Sequence, residues 1–160
     1  MKTITQTFIQ DLVQKAATSP RLRSHHNFHE SLSDPIHRVM IALAQGTYIR
    51  PHRHTEPGKF EFTVALLGQM SILLFDDQGT VTDIVSLDAQ GDTRGFEIPQ
   101  NVWHAWLTHT GQAAFLEVKK GPYDPKLAQE FAAWSPAEGD PAVPEFLKTL
   151  YAAKAGQRIG

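Results

Sequence analysis

The chain has no cysteine, and that absence removes disulfide frameworks, thiolate nucleophiles, zinc ribbons and iron–sulfur clusters together. It has no apolar run that approaches the length needed to span a bilayer. It also lacks any block of Lys or Arg, and its formal net charge is −2. Nucleic acid and anionic membrane surfaces are therefore not expected as partners. Positions 1–14 carry Asp11 and three Gln among their apolar residues. A signal-peptide core is missing from that stretch, and a cytoplasmic location is expected.

Histidine is what the chain has in excess. There are eight, and they cluster: His25, His26, His29 and His37 in one stretch, His52 and His54 in a second, His104 and His109 in a third. With no sulfur to offer, any metal site must draw on nitrogen and oxygen ligands. A length of 160 residues suits one domain with one core. Its parts are a helix and His-rich lead-in over 1–35, a β-barrel over 36–120, and a loop and helix over 121–160.

The spacing of Phe8, Leu12, Val13 and Ala16 predicts an amphipathic helix from Thr5 to Ala17, stopped by Ser19-Pro20. Arg21 to Pro35 shows no period and reads as irregular chain. From Ile36 to Lys120 short apolar and β-branched runs alternate with turn residues, at 36–44, 47–51, 60–67, 70–75, 80–87, 95–98, 103–108 and 113–119. Such spacing predicts an all-β sandwich or barrel. A final helix, about Val143 to Ala155, carries Phe146, Leu147, Leu150 and Tyr151 on one face.

His52-Arg53-His54 follows a short strand run, and residues two apart on a strand point the same way, so both imidazoles can reach one ion. Glu61 opens the next strand after a Glu-Pro-Gly turn that can return its carboxylate beside them. His104 begins a strand after Pro99-Gln100-Asn101-Val102-Trp103. Three imidazoles and a carboxylate suit one divalent transition ion: Mn, Fe, Co, Ni or Zn.

In this order the residues resemble the cupin superfamily. Gly46-x5-His52-x-His54-x6-Glu61-x6-Gly68 is similar to the first cupin motif, and Pro99-x-Asn101-x2-His104 to the core of the second. The chain departs from the pattern twice: the gap from His54 to Glu61 is longer than usual, and Asn101 stands where Gly is usual. A wider set resembles the WbuC-type cupin-fold metalloproteins over roughly residues 21–139. It comprises Asn27-x-His29, Arg38, Pro51-His52-Arg53-His54, Lys59-Phe60-Glu61, Leu74-Phe75-Asp76-Asp77, Glu97-Ile98-Pro99, Trp103-His104, Lys120-Gly121-Pro122-Tyr123, Trp134 and Pro136-x-Glu138. The resemblance implies a cupin double-stranded β-helix (a jelly-roll barrel) with a helix at each end. It also implies a metal on His52, His54, Glu61 and His104, ligand-binding roles for Asn27 and Arg38, and a setting in bacterial surface-polysaccharide biosynthesis.

Around the ion, Arg50 shares the parity of His52 and His54 and is expected to face the pocket, whereas Arg53 points away. The alternative for Arg50 is an ion pair with Glu117 or Glu97. Trp106 shares the parity of His104 and can form an aromatic wall. His29 either reaches the pocket or caps a turn. Tyr123 and Asp124, just past the last strand, can close the mouth. With Glu61 on the metal, His29, Tyr123 and Asp124 are the candidates for a general base. His25, His26, His37 and His109 are expected to be solvated or locally hydrogen-bonded, and Trp134 to pack.

The function expected is an enzyme acting on a sugar, nucleotide-sugar or other oxygen-rich anionic small molecule. The alternative is a non-catalytic module that binds or senses the same kind of ligand. A metal-free sugar epimerase barrel fits less well, because the ligand set is intact. If Glu61 points inward, Phe60, Phe62, Val64 and Leu66 form an outward apolar row, and a homodimer is expected to cover it.

Overall fold

The structure is a computed structural model that describes residues 2–125 and 127–159. Thr5 accepts a hydrogen bond from the Phe8 N–H at 3.2 Å and starts helix α1, Gln6–Thr18. The helix buries Ile9, Leu12, Val13 and Ala16, the stripe that its spacing predicts. Ten strands follow: β1 Arg23–Asn27, β2 Ile36–Ala44, β3 His52–Arg53, β4 Glu61–Leu67, β5 Gln69–Phe75, β6 Val81–Asp88, β7 Gly95–Ile98, β8 Trp103–Thr108, β9 Gln112–Lys120 and β10 Glu130–Phe131. Helix α2, Val143–Ala152, is the last element.

The strands form two antiparallel five-stranded sheets, in the orders β1-β2-β9-β4-β7 and β10-β3-β8-β5-β6. Leu43, Ile72, Ile98, Trp106 and Phe115 pack between them. Outside the first sheet, α1 lies on Met40, Ala42 and Ala114. Outside the second, Leu150, Phe146 and Leu147 of α2 pack with Leu73, Ala105 and Leu107. That second cover explains why β8 is buried at every position: one face meets the core and the other meets the helix layer. No helix among the described residues is long and apolar enough to cross a membrane.

Two expectations are corrected. The irregular lead-in contains β1, whose edge pairing runs from Arg23↔Leu43 to Asn27↔Val39. Its sequence RSHHN has no apolar alternation because a half-exposed edge strand needs little apolar burial. None of residues 47–51, the run expected as a strand, is in a strand, and β3 holds only His52–Arg53. Pro51 has no N–H to give a ladder, and its carbonyl accepts instead from Ala132 N–H at 2.9 Å.

On β4, Glu61, Thr63 and Ala65 are buried while Phe62 faces outward, 43% exposed. Gly68 reverses the chain into β5 with φ +71°, and a Cβ there would collide with the Gln112 carbonyl and the Thr110 hydroxyl. Gly68→Ala should therefore cost more than the roughly 1–2 kcal/mol of a left-handed residue alone, read as a shift of the denaturation midpoint.

Candidate metal centre

Both sheets contribute to one cluster. In the second sheet, His52 of β3 stands opposite His104 of β8, which stands opposite Leu74 of β5. His54 lies just past β3, where its carbonyl accepts from the Asn101 N–H at 2.8 Å. Asn101 has φ +66°. That accounts for the departure from the usual Gly, since Asn is the side-chain-bearing residue that best tolerates this region. From the facing sheet, Glu61 projects inward at the start of β4. One ligand atom from each of His52, His54, Glu61 and His104 lies within 4.8 Å of all the others. All four residues are buried, Glu61 to 2% exposure.

Hydrogen bonding fixes which nitrogens face the centre. Nδ1 of His52 meets the Arg50 carbonyl at 2.9 Å, Nδ1 of His104 meets the Val102 carbonyl at 3.0 Å, and Nδ1 of His54 meets the Ala128 carbonyl. Each Nδ1 must donate there, because a carbonyl only accepts, so in the neutral rings the Nε2 lone pairs point inward. Nε2 of His54 and His104 come within 2.8 and 3.2 Å of the Glu61 oxygens, yet both are buried without an aligned hydrogen-bond partner. Converging lone pairs and a carboxylate with no proton aligned between them form a donor set for a cation. Three nitrogens and one hard oxygen fit a divalent transition ion.

The protonation equilibria follow from the crowding. Burial, reinforced by His104 and His54, pushes His52 well below its ordinary pKa despite Glu61. Burial also opposes the His54 cation, but the adjoining Glu61 outweighs it and leaves that pKa raised. A metal ion would displace that proton.

Behind Glu61 stands a pair of residues that the sequence reading did not place in the site. Lys119 of β9 is directly opposite Glu61, and its Nζ lies 3.0 Å from Glu61 Oε1 and 2.7 Å from Glu117 Oε1. Burial works against the Glu61 anion, yet Lys119 and then the two imidazoles hold its carboxyl well below the usual range. Burial and the Glu61 charge push Glu117 up. Burial disfavours the Lys119 cation, but Glu117 and Glu61 together hold it above the ordinary range. The signal was present: Ala113, Phe115, Glu117 and Lys119 share one parity on β9, and the first two are core residues.

A cavity of about 470 Å³ opens from the cluster. Its wall includes Arg50, Trp106, Asn27, His29 and Tyr123, together with Glu117 and Lys119. Trp106 stacks on Phe115 at 4.2 Å. Arg50 pairs with neither Glu117 nor Glu97. Its Nε and Nη2 bond Ser135 Oγ and the Ala132 and Ser135 carbonyls at 3.0–3.1 Å, all neutral acceptors. Arg53 is turned outward, ion-paired to Glu130 and Asp77.

Arg38 and Asp124 are not among the described residues lining the cavity. Arg38 sits on the face of β2 opposite His37 and Val39, 3.7 Å from Asp34. That address follows from strand alternation. His37 is buried, with Nε2 donating to the Leu32 carbonyl at 3.1 Å. His26 packs edge-on to Phe8 and Phe28, and His109 bonds Ser71 Oγ at 2.6 Å. Exposed His25 lines the cavity. Trp134 packs against Phe75 and Trp103.

Two antiparallel sheets facing each other around a buried three-His, one-Glu group, with a helix at each end, define a cupin-type double-stranded β-helix. Residues 4–87 match the family described as "Domain of unknown function (DUF6016)", and the chain belongs to that family. The matched stretch holds His52, His54 and Glu61. No curated protein matches the chain.

Solved structures of similar fold include an uncharacterized conserved protein with a double-stranded β-helix domain from Klebsiella pneumoniae, 13% identical, covering 82% of this chain and 98% of that one, TM-score 0.57. L-ribose isomerase of Cellulomonas parahominis is 14% identical over 69% of each chain, TM-score 0.55. Salicylate 1,2-dioxygenase of Pseudoaminobacter salicylatoxidans is 9% identical over 81% of this chain and 37% of its own, TM-score 0.58. At these identities the likeness is one of fold, and the fold is one that carries enzymes.

The depressed Glu61 carboxyl contributes stability that is present above its unfolded-state pKa and lost as pH falls through its folded-state value. Lys119→Met raises that folded-state value. The acid-unfolding midpoint of protein held in chelator should therefore move to higher pH. Stability at neutral pH should fall by about 3–5 kcal/mol, as for a buried charge stripped of its partner. An unmoved midpoint would show that Lys119 is not what keeps Glu61 ionised.

Proposed function

We propose that the protein is a cytoplasmic WbuC-type cupin that holds one divalent transition ion on His52, His54, Glu61 and His104. In this reading it acts as an enzyme on a sugar, nucleotide-sugar or other oxygen-rich anionic small molecule, in the setting of surface-polysaccharide biosynthesis. The observation that carries the reading is the set of three imidazoles whose Nδ1 atoms are tied to carbonyls while the remaining donor atoms converge with Glu61 within 4.8 Å.

When bound, the ion supplies Lewis acidity toward a carbonyl or hydroxyl oxygen of the ligand. The chain does the rest. Lys119 occupies one Glu61 oxygen and leaves the other to the centre. Arg50, whose bonded acceptors are all neutral, attracts and orients the ligand's anionic group. Trp106 and Phe115 wall off water on one side. Glu117, buried in the same cavity with Oε1 2.7 Å from the Lys119 ammonium, takes or returns a proton at its other oxygen. Burial raises its proton affinity, as such a role requires.

The test is metal analysis of protein purified without chelator, beside His104→Ala. Wild type should carry about one equivalent per chain and lose several degrees of melting temperature on chelation. The variant should carry little metal and show almost no chelation shift. Equal chelation shifts in the two proteins would reject the site.

The same reading takes the protein to be a homodimer. Phe60 and Phe62 stay 37% and 43% exposed on the outer face of the first sheet, beyond the reach of α1, and Ile36 is 55% exposed on the same face. A two-fold partner laid over this row would bury it. Light scattering at micromolar concentration should give twice the chain mass for wild type. It should give the single-chain mass for Phe62→Glu, with metal content unchanged.

A further inference from the structure

We propose that His29 is the second pole of the cavity. It donates a hydrogen bond to an oxygen at the far end of a ligand whose near end is held at the metal group. The inference rests on the metal-site reading and adds to it the length and the two-ended chemistry of the ligand.

On the inner face of the first sheet, His37 of β2 stands opposite Lys119 of β9, and Lys119 stands opposite Glu61 of β4. These three form a polar row that crosses the sheet toward the metal group. The His29 ring lies flat on His37, centroids 4.0 Å apart and planes 7° apart. His29 is thus fixed at the end of the row away from Glu61.

Its tautomer follows from hydrogen-bond accounting. The Arg38 carbonyl already accepts from the Phe28 N–H at 2.8 Å. In a strand the N–H and C=O of one residue point to the same edge, so the Arg38 N–H faces His29 as well. It lies 3.3 Å from His29 Nδ1 with donor geometry. If Nδ1 instead donated to the Arg38 carbonyl, also 3.3 Å away, this backbone N–H would lose its acceptor. Nδ1 therefore accepts and Nε2 carries the proton. That Nε2 is buried without a partner, on a residue 6% exposed that lines the cavity. His37 cannot serve in its place, because its Nε2 is spent on the Leu32 carbonyl. It is the platform that holds the His29 ring. An orphaned donor in a cavity wall calls for an acceptor, and a ligand oxygen supplies one.

The span sets the ligand's size. Two strand spacings cover about 10 Å from Glu61 to His37, and the ring stack carries His29 a further 4.0 Å. A metal–oxygen bond takes about 2 Å and a hydrogen bond about 3 Å. About 9 Å remains between the two ligand oxygens, the reach of a chain of about seven or eight carbons or of a sugar that carries an anionic substituent.

Two acids with a common head group test this. Lactate offers an α-hydroxy acid to the metal and nothing beyond, whereas 2-hydroxysuberate adds a carboxylate at the far end of an eight-carbon chain. Calorimetry on metal-loaded wild type should show 2-hydroxysuberate binding about tenfold more tightly than lactate. His29→Ala should remove that advantage and leave lactate binding and metal content unchanged. His29→Gln, whose amide places an N–H near the position of Nε2, should recover most of it. Equal losses for both acids, or no advantage of the longer acid in wild type, would overturn the proposal. Absence of bound metal in the same samples would overturn the metal reading, and the proposal would fall with it.

Discussion

A carboxylate buried between two sheets is the constraint on which the rest of this structure depends. Glu61 leaves water at the start of β4 and must recover the lost solvation from groups that other strands bring to it. Lys119 comes from the neighbouring strand of the same sheet, and His54 and His104 come from the facing sheet. Sheet pairing, sheet stacking and the turn before β4 must all be in register for that charge to be tolerated. A slip of one residue in β4 would turn Glu61 to the solvent face and bring Phe62 inward.

The inward turn of Glu61 also fixes the outer face. Alternation leaves Phe62, Val64 and Leu66 outside, and α1 reaches only the Leu66 end of that row. The helices at the two ends of the chain are therefore not equivalent appendages. Each seals one sheet, and the first sheet remains partly unsealed. The chemistry inside the barrel and the apolar strip outside it are consequences of one strand's parity.

Much of this could be read from the sequence because it lies on period-two alternation: β2 and β4 to β9, and the inward set of His52, His54, Glu61 and His104. What could not be read depends on pairing between distant strands. β1 has no apolar pattern, because it borrows its order from the β2 edge. Glu117 and Lys119 look like surface residues until Phe115 is seen to face the core two positions before Glu117. The partners of Arg50 lie more than eighty residues away on irregular chain, beyond any spacing rule. Arg38 shows a different limit: a motif match names a residue without saying which face of its strand it occupies.

Two of the three ligand imidazoles are oriented by carbonyls of their own neighbourhood, Arg50 for His52 and Val102 for His104. The third is not. His54 takes its carbonyl from Ala128, past the last long strand, in the segment that also receives Arg50 through Ala132 and Ser135. A chain ending after β9 would contain every ligand atom and still leave one ring free to choose its tautomer. The third tautomer is fixed only where this segment lies against the barrel. The geometry of the centre therefore depends on chain as far as Ser135 and not on the barrel strands alone.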